Sequence, residues 1–462
     1  MARLKEYNGH YCESEYEYAF IGFLEAEGWK YSSGNNIRRV TKRDVLIADD
    51  FKKFIADTNP DLTEDEVTQI YDNVRLVGAE SDFATLHKVY GWMVNGVQFT
   101  PQDELPGMIP LIDFDNWDKN IFRVVNQFTV EYTNNGQKEN RRPDVLLFVN
   151  GMPLCVVELK NPADANATIY DAWEQINIRY WRDIPHLLHY CPLACISDGV
   201  KTRLGTVRTP YEHFYAWRRV NEGDVVSTLP FAETETMIKG VYTPERFVEI
   251  FRDYIYFQDS IYDSDEVEIV CRYPQFFAAK LLKQSIVNSV VTRSGKGGTY
   301  FGATGCGKTY TMAFLARQLA LRCTDIPEIG SPTIILIVDR DELQKQGSKL
   351  FTKSKEFLNL GEVSVVKNRT QLRQELGARQ SGGFYICTIQ KFCDREDDKI
   401  GLINDRQNII CFSDEAHRTQ LEHSKKIQFS KDADENMKAM VSKPYAKVLK
   451  EAFPHATFVG FT

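Results

Sequence analysis

Two short apolar runs separated by a polar dipeptide stand out near the middle of the N-terminal half of the chain. Residues 145–149 (VLLFV) and 154–157 (LCVV) are uninterrupted apolar stretches of strand length, with Asn-Gly at 150–151 between them. An Asn-Gly pair between two apolar runs is the strongest short-range signal for a β-hairpin. The pattern therefore predicts two buried antiparallel strands. Three charged residues stand at the open end of this hairpin: Asp144, Glu158 and Lys160.

The flanking sequence contains both helical and strand-like periodicity. Residues 13–29 and 167–181 have the spacing of apolar side chains that is typical of helices, whereas residues 121–132 and 193–199 are typical of strands. The apolar set of the first helix is Phe20, Ile21, Leu24 and Trp29. Together these elements predict a mixed α/β domain over residues 1–223.

The pattern changes in the C-terminal half of the chain. Residues 224–265 are more polar and predict a connector, which includes a helix over residues 243–257. From residue 266 to residue 462, strand-like apolar runs alternate with helical patterns, which is typical of a parallel α/β sheet. The most apolar of these runs lie in residues 333–346, 384–392 and 408–417.

The composition mainly excludes some classes of protein. The 462 residues are 43% hydrophobic and 26% charged with a net charge of −8, so positive charge for a nucleic-acid partner would have to be concentrated locally. We expect no signal peptide and no membrane span, because the N-terminus lacks an apolar stretch and no run approaches 18 apolar residues. The ten cysteines are scattered, many within apolar runs, which indicates reduced core thiols in a cytoplasmic protein.

A glycine-rich segment between an apolar run and a helical pattern has the spacing G-x-x-x-x-G-K-T. In a P-loop, glycines let backbone N–H groups point at phosphates, the lysine reaches the β- and γ-phosphates, and the threonine hydroxyl binds Mg²⁺. The alternative is a glycine-rich turn before an ordinary helix. The predicted nucleotide-binding residues of this loop are Gly302, Thr304, Gly305, Gly307, Lys308 and Thr309.

A second motif supports nucleotide binding. Residues 408–417 (NIICFSDEAH) are an apolar strand-like run that ends in Asp414 and Glu415. A strand that delivers an acid beside a P-loop is the Walker B arrangement, in which Asp414 would hold Mg²⁺ and Glu415 would polarise the attacking water. The two motifs at this separation predict ATP hydrolysis.

The charges at the open end of the hairpin fit the pattern D…E-x-K of metal-dependent nucleases. Asp144 and Glu158 offer carboxylate oxygens to Mg²⁺, which can activate water and stabilise charge on a scissile phosphate. Lys160 is two residues after Glu158 on the same strand, so both side chains share a face. The alternative is that these residues only mark the solvated end of a hairpin.

The register of the hairpin gives a sharper expectation. A regular two-residue turn places Asp144 opposite Val157, so that its side chain points away from Glu158. A three-residue turn places Asp144 opposite Val156, on the face of Glu158. The nuclease interpretation therefore predicts a bulged turn or a comparable irregularity. Pro153 cannot donate to the strand ladder and favours an irregular register.

With these motifs in order along the chain, the sequence resembles the R (restriction and motor) subunit of type I restriction enzymes, whose motor belongs to helicase superfamily 2. The segments that carry the resemblance are RYPQFFAAK, GATGCGKT, VDRDELQKQ, TIQKF, SDEAH and FVGFT in the motor part, and NQFTVEY, RPDVLLFVNGMPLCVVELKNP and SDGVKTRLGT before it. The resemblance implies that Gln275 recognises adenine and that Arg340 and Lys391 contact the DNA backbone.

The same resemblance implies two further residues of the nuclease site. Glu17 would be an additional acid near the metal, although a solvated helix face explains it equally well. The family carries Q-x-x-x-Y on a helix, whereas here Gln175 is followed by Arg179 at that spacing and by Tyr180 one position later. In a regular helix Gln175 and Tyr180 would lie about 140° apart. Either the helix is locally distorted or only Gln175 contributes.

The resemblance implies a metal-dependent endonuclease domain of the PD-(D/E)xK type over residues 1–223, followed by the first RecA-like lobe of the motor over 266–462. Mg²⁺ and ATP would be the cofactors, and double-stranded DNA, a modification subunit and a specificity subunit the partners. Because the family's last motif continues beyond VGFT, we expect a truncated chain without the second motor lobe, able to bind nucleotide but poorly equipped to hydrolyse it.

Two other functions stay open at this point. A stand-alone nuclease–helicase of DNA repair would have both centres, and a nucleotide-gated DNA-binding scaffold would have an inactive nuclease hairpin. Three basic clusters could follow DNA phosphates, although each is also typical of an ordinary solvated face. They are Arg38-Arg39-Lys42-Arg43, Lys138-Arg141-Arg142 and Arg218-Arg219. His186 and His189 have no ligand partner at a useful spacing and are expected to be structural.

Overall fold

The chain forms two compact units in a computed structural model. The first unit comprises Met1–Phe257 and Asp265–Tyr273, and the second comprises Gln258–Ser264 and Pro274–Thr462. The structure describes residues 13–78, 80–102, 105–161, 168–227, 231–258, 266–303, 305–338, 350–392, 400–414, 427–431, 437–441 and 445–462.

The first unit is built on a six-stranded mixed sheet with the order β1-β4-β7-β8-β9-β10. The pairs β1/β4 and β8/β9 are parallel and the other neighbours are antiparallel. Pairs β2/β3, β5/β6 and β11/β12 form separate two-stranded sheets. The strands are β1 (Lys30–Ser33), β2 (Val97–Phe99), β3 (Gly107–Ile109), β4 (Phe122–Asn126), β5 (Val130–Asn134), β6 (Gln137–Arg141), β7 (Val145–Val149), β8 (Met152–Leu159), β9 (Leu193–Ser197), β10 (Thr202–Thr206), β11 (Ile255–Phe257) and β12 (Glu268–Val270).

Helices cover this sheet. Every residue of β7, β8 and β9 is buried, as expected for central strands that are covered on both faces. The helices of the first unit are α1 (Glu13–Ala26), α2 (Ala48–Thr58), α3 (Glu64–Arg75), α4 (Asp82–Asn95), α5 (Ile169–Glu174), a π-helix (Gln175–Tyr180), α6 (Trp181–Asp183), α7 (Pro185–Leu188), α8 (Ala232–Val241) and α9 (Pro244–Asp253), with 3₁₀ turns at Gly34–Asn36, Trp117–Lys119 and Tyr211–His213. The predicted mixed α/β fold of this region is confirmed.

The first helix is shorter than its apolar spacing predicts. It ends at Ala26, and Gly28 follows with a left-handed φ of +104°, which stops the helix. Trp29 therefore lies outside the helix, although it is buried and its indole Nε1 donates a hydrogen bond of 2.5 Å to the carbonyl of Tyr242. The other three apolar residues predicted for this helix are buried as expected.

Two predicted elements are each divided in the structure. Residues 121–132 do not form one strand, because Gln127 adopts a left-handed φ of +56° that ends β4 before β5 begins. β5 then pairs with β6 in a sheet of its own. The helix predicted over residues 243–257 ends at Asp253, and the apolar segment Ile255–Phe257 pairs with β12 instead. This segment is rich in β-branched and aromatic side chains, which favour a strand.

The second unit contains a six-stranded sheet with the order β13-β20-β17-β14-β16-β15, and all five neighbouring pairs are parallel. This confirms the predicted parallel α/β sheet. The strands are β13 (Lys296–Tyr300), β14 (Thr333–Val338), β15 (Val363–Val365), β16 (Phe384–Thr388), β17 (Ile409–Ser413), β18 (Ile427–Lys431), β19 (Met437–Val441) and β20 (Thr457–Phe461), with β18 and β19 paired separately.

The helices of this part of the chain connect successive strands. They are α10 (Tyr273–Thr292), α11 (Lys308–Leu321), α12 (Lys355–Leu358), α13 (Arg369–Gly377) and α14 (Tyr445–Ala452), with a 3₁₀ turn at Ile389–Lys391. The central strands β14, β16 and β17 are wholly buried. None of the helices in the described ranges is both long enough and apolar enough to cross a membrane.

Candidate nuclease and nucleotide sites

The hairpin that carries the candidate nuclease residues begins with a two-residue turn. Asn150 and Gly151 have φ angles of +51° and +76°, which is the left-handed pair that a type I′ turn requires. Val149 pairs with Met152 across this turn. The turn is thus the regular two-residue form that Asn-Gly favours.

The strand ladder becomes irregular just beyond the turn. Phe148 pairs with Pro153, but the next residue of β7, Leu147, pairs with Cys155. Leu154 is therefore an extra residue in β8, which is the definition of a β-bulge. Because Pro153 has no N–H to donate, the ladder loses a hydrogen bond at this point in any case.

The bulge brings the two candidate acids together. Beyond it Val145 pairs with Val157, so the same register places Asp144 opposite Glu158. Their carboxyl groups are in hydrogen-bond contact. The backbone N–H of Leu159 donates a bond of 2.7 Å to Oδ2 of Asp144 and holds this carboxylate in place. The predicted irregularity is confirmed, although it lies within β8 and not in the turn.

Glu158 is fully buried and its carboxylate accepts hydrogen bonds on both oxygens. The Tyr180 hydroxyl donates to Oε1 at 2.5 Å, and Nε2 of Gln175 donates to Oε2 at 2.6 Å. Burial raises the pKa of Glu158 well above its ordinary value, and the neighbouring charge of Asp144 raises it further. The charged form of this carboxyl is favoured by the two donated hydrogen bonds and by a nearby cation.

Lys160 supplies a positive charge on the same face as Glu158. Its Nζ lies 4.0 Å from Oε2 of Glu158 and donates a hydrogen bond of 3.1 Å to Oε1 of Gln175. The backbone N–H of Lys160 bonds to the carbonyl of Ser197 on β9 at 2.8 Å. The lysine is thus fixed at both its backbone and its ammonium group, next to the two carboxylates.

The helix that follows the hairpin is distorted where the sequence left two alternatives open. Residues Gln175–Tyr180 form a π-helix, in which hydrogen bonds join residues five apart. Gln175 and Tyr180 therefore lie on the same face, and Nε2 of Gln175 donates to the Tyr180 hydroxyl at 2.8 Å. Both side chains reach Glu158. Burial raises the pKa of Tyr180 well above its ordinary value, and the adjacent Glu158 raises it further.

Glu17 lies on α1 and is buried, so it does not belong to a solvated helix face. Its Oε1 accepts hydrogen bonds from Asn126 at 2.6 Å and from Gln127 at 3.4 Å. Asn126 pairs with Val145, the residue after Asp144. Glu17 thus lies toward the end of the sheet that carries the acids. No hydrogen bond between the described residues joins it directly to Glu158.

The donor set fits a hard divalent cation. Asp144 and Glu158 place carboxylate oxygens side by side, and their mutual repulsion is relieved when a cation binds between them. Within the described residues, no cluster of three or more His, Cys, Asp or Glu side chains could hold a metal ion. Two carboxylates nevertheless suit Mg²⁺, which is commonly held by one or two carboxylates together with waters and substrate phosphates.

Three supports of this site were not found from the sequence. Asn126 holds Glu17, the carbonyl of Ser197 holds Lys160, and the N–H of Leu159 holds Asp144. Two of these contacts use backbone atoms, which every residue has, so no residue type marks them in advance. Asn126 lies in residues 121–132, which the sequence predicts as one continuous strand. The sequence does not indicate that β4 ends at Asn126.

In the second unit, the P-loop has the backbone that its glycines were predicted to permit. Gly305 and Gly307 have left-handed φ angles of +80° and +84°. Gly307 is the N-cap of α11, which begins at Lys308. Thr309 therefore lies in the first turn of α11, where backbone N–H groups are free to meet an anion. Thr304 lies outside the described residues.

Gln275 contacts the P-loop directly. It is buried in the first turn of α10, and its Nε2 donates to the carbonyls of Gly307 at 3.2 Å and of Cys306 at 3.4 Å. A Cβ atom at position 307 would come within 2.4 Å of this Nε2, so a larger residue there would displace the Gln275 amide, and the φ of +84° itself favours glycine. At the other end of the loop, the N–H of Gly302 bonds to the carbonyl of Thr462 at 2.8 Å.

Asp414 follows β17 and lies at the carboxyl edge of the parallel sheet, the edge at which the P-loop follows β13. One strand, β20, lies between β13 and β17. The N–H of Asp414 bonds to the carbonyl of Ile337 on β14 at 2.9 Å. Lys391 lies in the 3₁₀ turn after β16, at the same edge. Glu415 and Arg340 lie outside the described residues.

Two known families match the two halves of the chain. Residues 11–213 match the family described as the type I restriction enzyme R protein N terminus. Residues 274–462 match the SWI2/SNF2 ATPase family. The first match contains the hairpin and the π-helix, and the second contains the P-loop and the parallel sheet.

Curated relatives extend along nearly the whole chain. The HindI type I restriction enzyme endonuclease subunit of Haemophilus influenzae is 30% identical over 97% of this chain, which covers 42% of that protein. A Methanocaldococcus jannaschii protein, provisionally named the MjaIXP type I restriction enzyme endonuclease subunit, is 29% identical over 96% of this chain and 42% of that protein. The chain thus spans about two fifths of the length of these relatives. Over nearly its whole length the chain is thus similar to the endonuclease subunits of type I restriction enzymes, and its N-terminal part matches the R protein of these enzymes.

Proposed function

We propose that this chain cleaves double-stranded DNA by Mg²⁺-dependent hydrolysis of phosphodiester bonds, within a type I restriction enzyme that uses ATP to translocate DNA. The observation that carries the proposal is the register of the hairpin, where a bulge at Leu154 sets Asp144 beside Glu158. An ordinary solvated hairpin end has no need of a fully buried acid in contact with a half-buried one, because such a pair costs stability.

In the proposed reaction, Asp144 and Glu158 would hold Mg²⁺, which would supply an activated water and offset charge on the scissile phosphate. Gln175 and Tyr180 hold the Glu158 carboxylate in one orientation through its two oxygens. Lys160 lies 4.0 Å from Glu158, and its ammonium group would stabilise the negative charge that develops on the oxygens of a phosphate bound there. Glu17 would act indirectly, because its carboxylate holds Asn126, which pairs with Val145, the residue after Asp144.

In the second unit, Lys308 and Thr309 are proposed to hold the phosphates of ATP and Mg²⁺, with Asp414 as the second ligand side chain. Gly302, Thr304, Gly305 and Gly307 would expose the loop's N–H groups. Glu415 would polarise the attacking water.

Gln275 is proposed to recognise adenine. Its amide group already contacts the P-loop carbonyls of Gly307 and Cys306, so adenine binding and loop position would be linked. Lys391 and Arg340 would contact the DNA backbone.

The partners of the proposed enzyme are double-stranded DNA, a modification subunit and a specificity subunit, because the chain contains no motif that reads bases. The proposal places the enzyme in the cytoplasm, where ATP and DNA occur together. Free cysteines in the described residues fit a reducing compartment. A stand-alone repair nuclease–helicase would purify without those subunits, and a nucleotide-gated scaffold would bind DNA without cutting it in any metal.

The test is cleavage of circular DNA by the reconstituted restriction complex that contains this polypeptide, with and without EDTA. We expect wild-type enzyme to cut only with Mg²⁺ and Glu158→Ala to lose cutting under every condition. Glu212→Gln, which changes an exposed glutamate of the same unit, serves as the matched control and should cut normally. Cleavage by Glu158→Ala at the wild-type rate would exclude the hairpin as the nuclease centre.

A further inference from the structure

A cavity of about 580 Å³ adjoins the candidate nuclease site, and its charged lining residues are all cations. Two of its walls are formed by the Gln175 and Tyr180 side chains that hold Glu158. The four cations that line the cavity are Lys42, Arg141, Arg142 and Arg179. No acidic side chain of the described residues lines this cavity, in a chain whose net charge is −8.

We propose that this cationic cleft binds the phosphodiester backbone of duplex DNA beside the bond that is cut, with Lys42 and Arg142 as the side chains that contact phosphates. This inference rests on the proposed nuclease function and extends it by naming the surface that seats the substrate. Contacts of this kind position DNA without reading its sequence, as a subunit that leaves recognition to a partner requires.

The four cations of the cleft come from three separate segments of the chain. Lys42 lies in the loop before α2, and its carbonyl accepts a hydrogen bond of 3.0 Å from the N–H of Glu131 on β5. Arg142 follows β6 and stands two residues before Asp144. Arg179 comes from the π-helix. Two of the basic clusters in the sequence thus meet at one place, next to the acids of the site.

The four cations differ in their availability for a ligand. Arg141 pairs with Asp183 at 2.6 Å, and Arg179 pairs with Glu174 at 2.8 Å. Lys42 and Arg142 are exposed, and the described residues offer neither of them an ion pair. Two of the cations thus have no counter-ion in the described part of the chain, and the other two are partly neutralised. Together they give the cleft a positive electrostatic potential, which attracts the phosphate backbone.

The π-helix explains how Arg179 enters this cleft. In the family's Q-x-x-x-Y pattern the tyrosine would stand at the position of Arg179. The extra residue in the π-helix moves this position onto the wall of the cleft and still brings Tyr180 to Glu158. The insertion therefore adds a cation to the cleft and keeps the contacts of the catalytic carboxylate.

The test measures binding of a short fluorescein-labelled DNA duplex to the purified chain by fluorescence anisotropy over a range of salt concentrations. Ca²⁺ replaces Mg²⁺ so that the DNA is not cut. Removing two phosphate contacts with Lys42→Ala/Arg142→Ala should lower the slope of log K against log [salt] by about 1.8 in magnitude. The control, Lys138→Ala/Arg218→Ala, removes the same charge from outside the cleft and should keep the wild-type slope.

A further variant separates lost charge from lost folding. Lys42→Arg/Arg142→Lys keeps both charges and should retain the wild-type slope, which a merely structural role of these side chains would not predict. The cleft proposal would be overturned if the cleft variant and its control gave equal slopes while the wild-type chain still bound DNA. The nuclease function would nevertheless stand if Glu158→Ala remained inactive in cleavage. If the wild-type chain does not bind duplex DNA, the cleft proposal fails, and cleavage by the reconstituted complex decides the nuclease function separately.

Discussion

Nε2 of Gln175 and the hydroxyl of Tyr180 lie 2.8 Å apart although the two residues are five positions apart in the sequence, and both groups donate to the carboxylate of Glu158. A regular helix would turn them about 140° away from each other. The π-helix removes this mismatch, and an irregular helix at this point is therefore required for the site. Such single π turns are frequent at functional sites.

We predict that Tyr180→Phe lowers the cleavage rate by roughly tenfold or more. The variant loses a hydrogen bond to a charged carboxylate, a contact that contributes about 1.5–3 kcal/mol in proteins. ATP consumption should not change, because the P-loop is not touched. Single-turnover cleavage of plasmid DNA measures the effect. Tyr170→Phe changes an exposed tyrosine of the adjoining helix α5 and should match wild type. Equal cleavage by Tyr180→Phe and wild type would contradict the proposed role.

We predict that Glu158→Gln makes the chain more stable in EDTA than wild type. The substitution replaces a buried ionisable group by a neutral amide, and both burial and the neighbouring Asp144 disfavour the charged form of that group, as the raised pKa of Glu158 indicates. Mg²⁺ should then raise the melting temperature of wild type but not of Glu158→Gln, because the variant lacks one of the two carboxylates.

Thermal unfolding with and without Mg²⁺ checks both statements. The exposed Glu212→Gln is again the control, and it should respond to Mg²⁺ as wild type does. A wild-type melting temperature that is indifferent to Mg²⁺ would count against metal binding at this site.

We predict that Gln275→Ala weakens ATP binding and reduces the preference for ATP over GTP. The variant loses the donor that contacts the Gly307 and Cys306 carbonyls, together with the amide proposed to read adenine. Displacement of a fluorescent nucleotide analogue measures both affinities. The matched control is Gln284→Ala, an exposed glutamine on the same helix. A uniform loss for ATP and GTP would leave Gln275 as a support of the loop only.

We predict that the first unit loses stability as the pH falls from 6.5 toward 4, partly through His186. Burial lowers the pKa of this imidazole from 6.5 to about 4, so protonation in this range favours the unfolded chain. Its contribution is complete above pH 6.5 and is lost as the pH falls through this window. Thermal unfolding at pH 7 and pH 5 should show a smaller loss for His186→Gln, by about 1–2 kcal/mol. His213→Gln, on the surface, should lose as much as wild type.

Much of the candidate nuclease site could be predicted because its irregularities leave traces in the sequence. Pro153 and the spacing of Asp144 and Glu158 required an irregular hairpin, and the structure contains a bulge at Leu154. The shifted tyrosine after Gln175 left two alternatives, a distorted helix or a site without Tyr180, and the structure contains a π-helix at this point. In both cases the nuclease pattern does not fit a regular strand or helix, and this misfit indicates a local irregularity of the backbone.

Other features could not be predicted because they depend on tertiary contacts. Nothing in the local pattern marks Gln127 as the residue that ends β4, since its left-handed φ is set by the packing around it. The segment Ile255–Phe257 continues a helical pattern, and the sequence does not show that β12, the partner of this strand, lies beside it. The cationic cleft joins Lys42 and Arg142, which are distant in sequence, and only the fold brings them together.

The measurement that tests the account most directly follows DNA cleavage and ATP consumption together in the reconstituted complex. We compare wild type with Glu158→Ala and Lys308→Ala, with Lys367→Ala as an exposed control lysine in the second unit. The account predicts that Glu158→Ala consumes ATP without cutting and that Lys308→Ala does neither. Normal cutting by Glu158→Ala would contradict the nuclease assignment, and cutting by Lys308→Ala at the wild-type rate would contradict the dependence of cleavage on the motor.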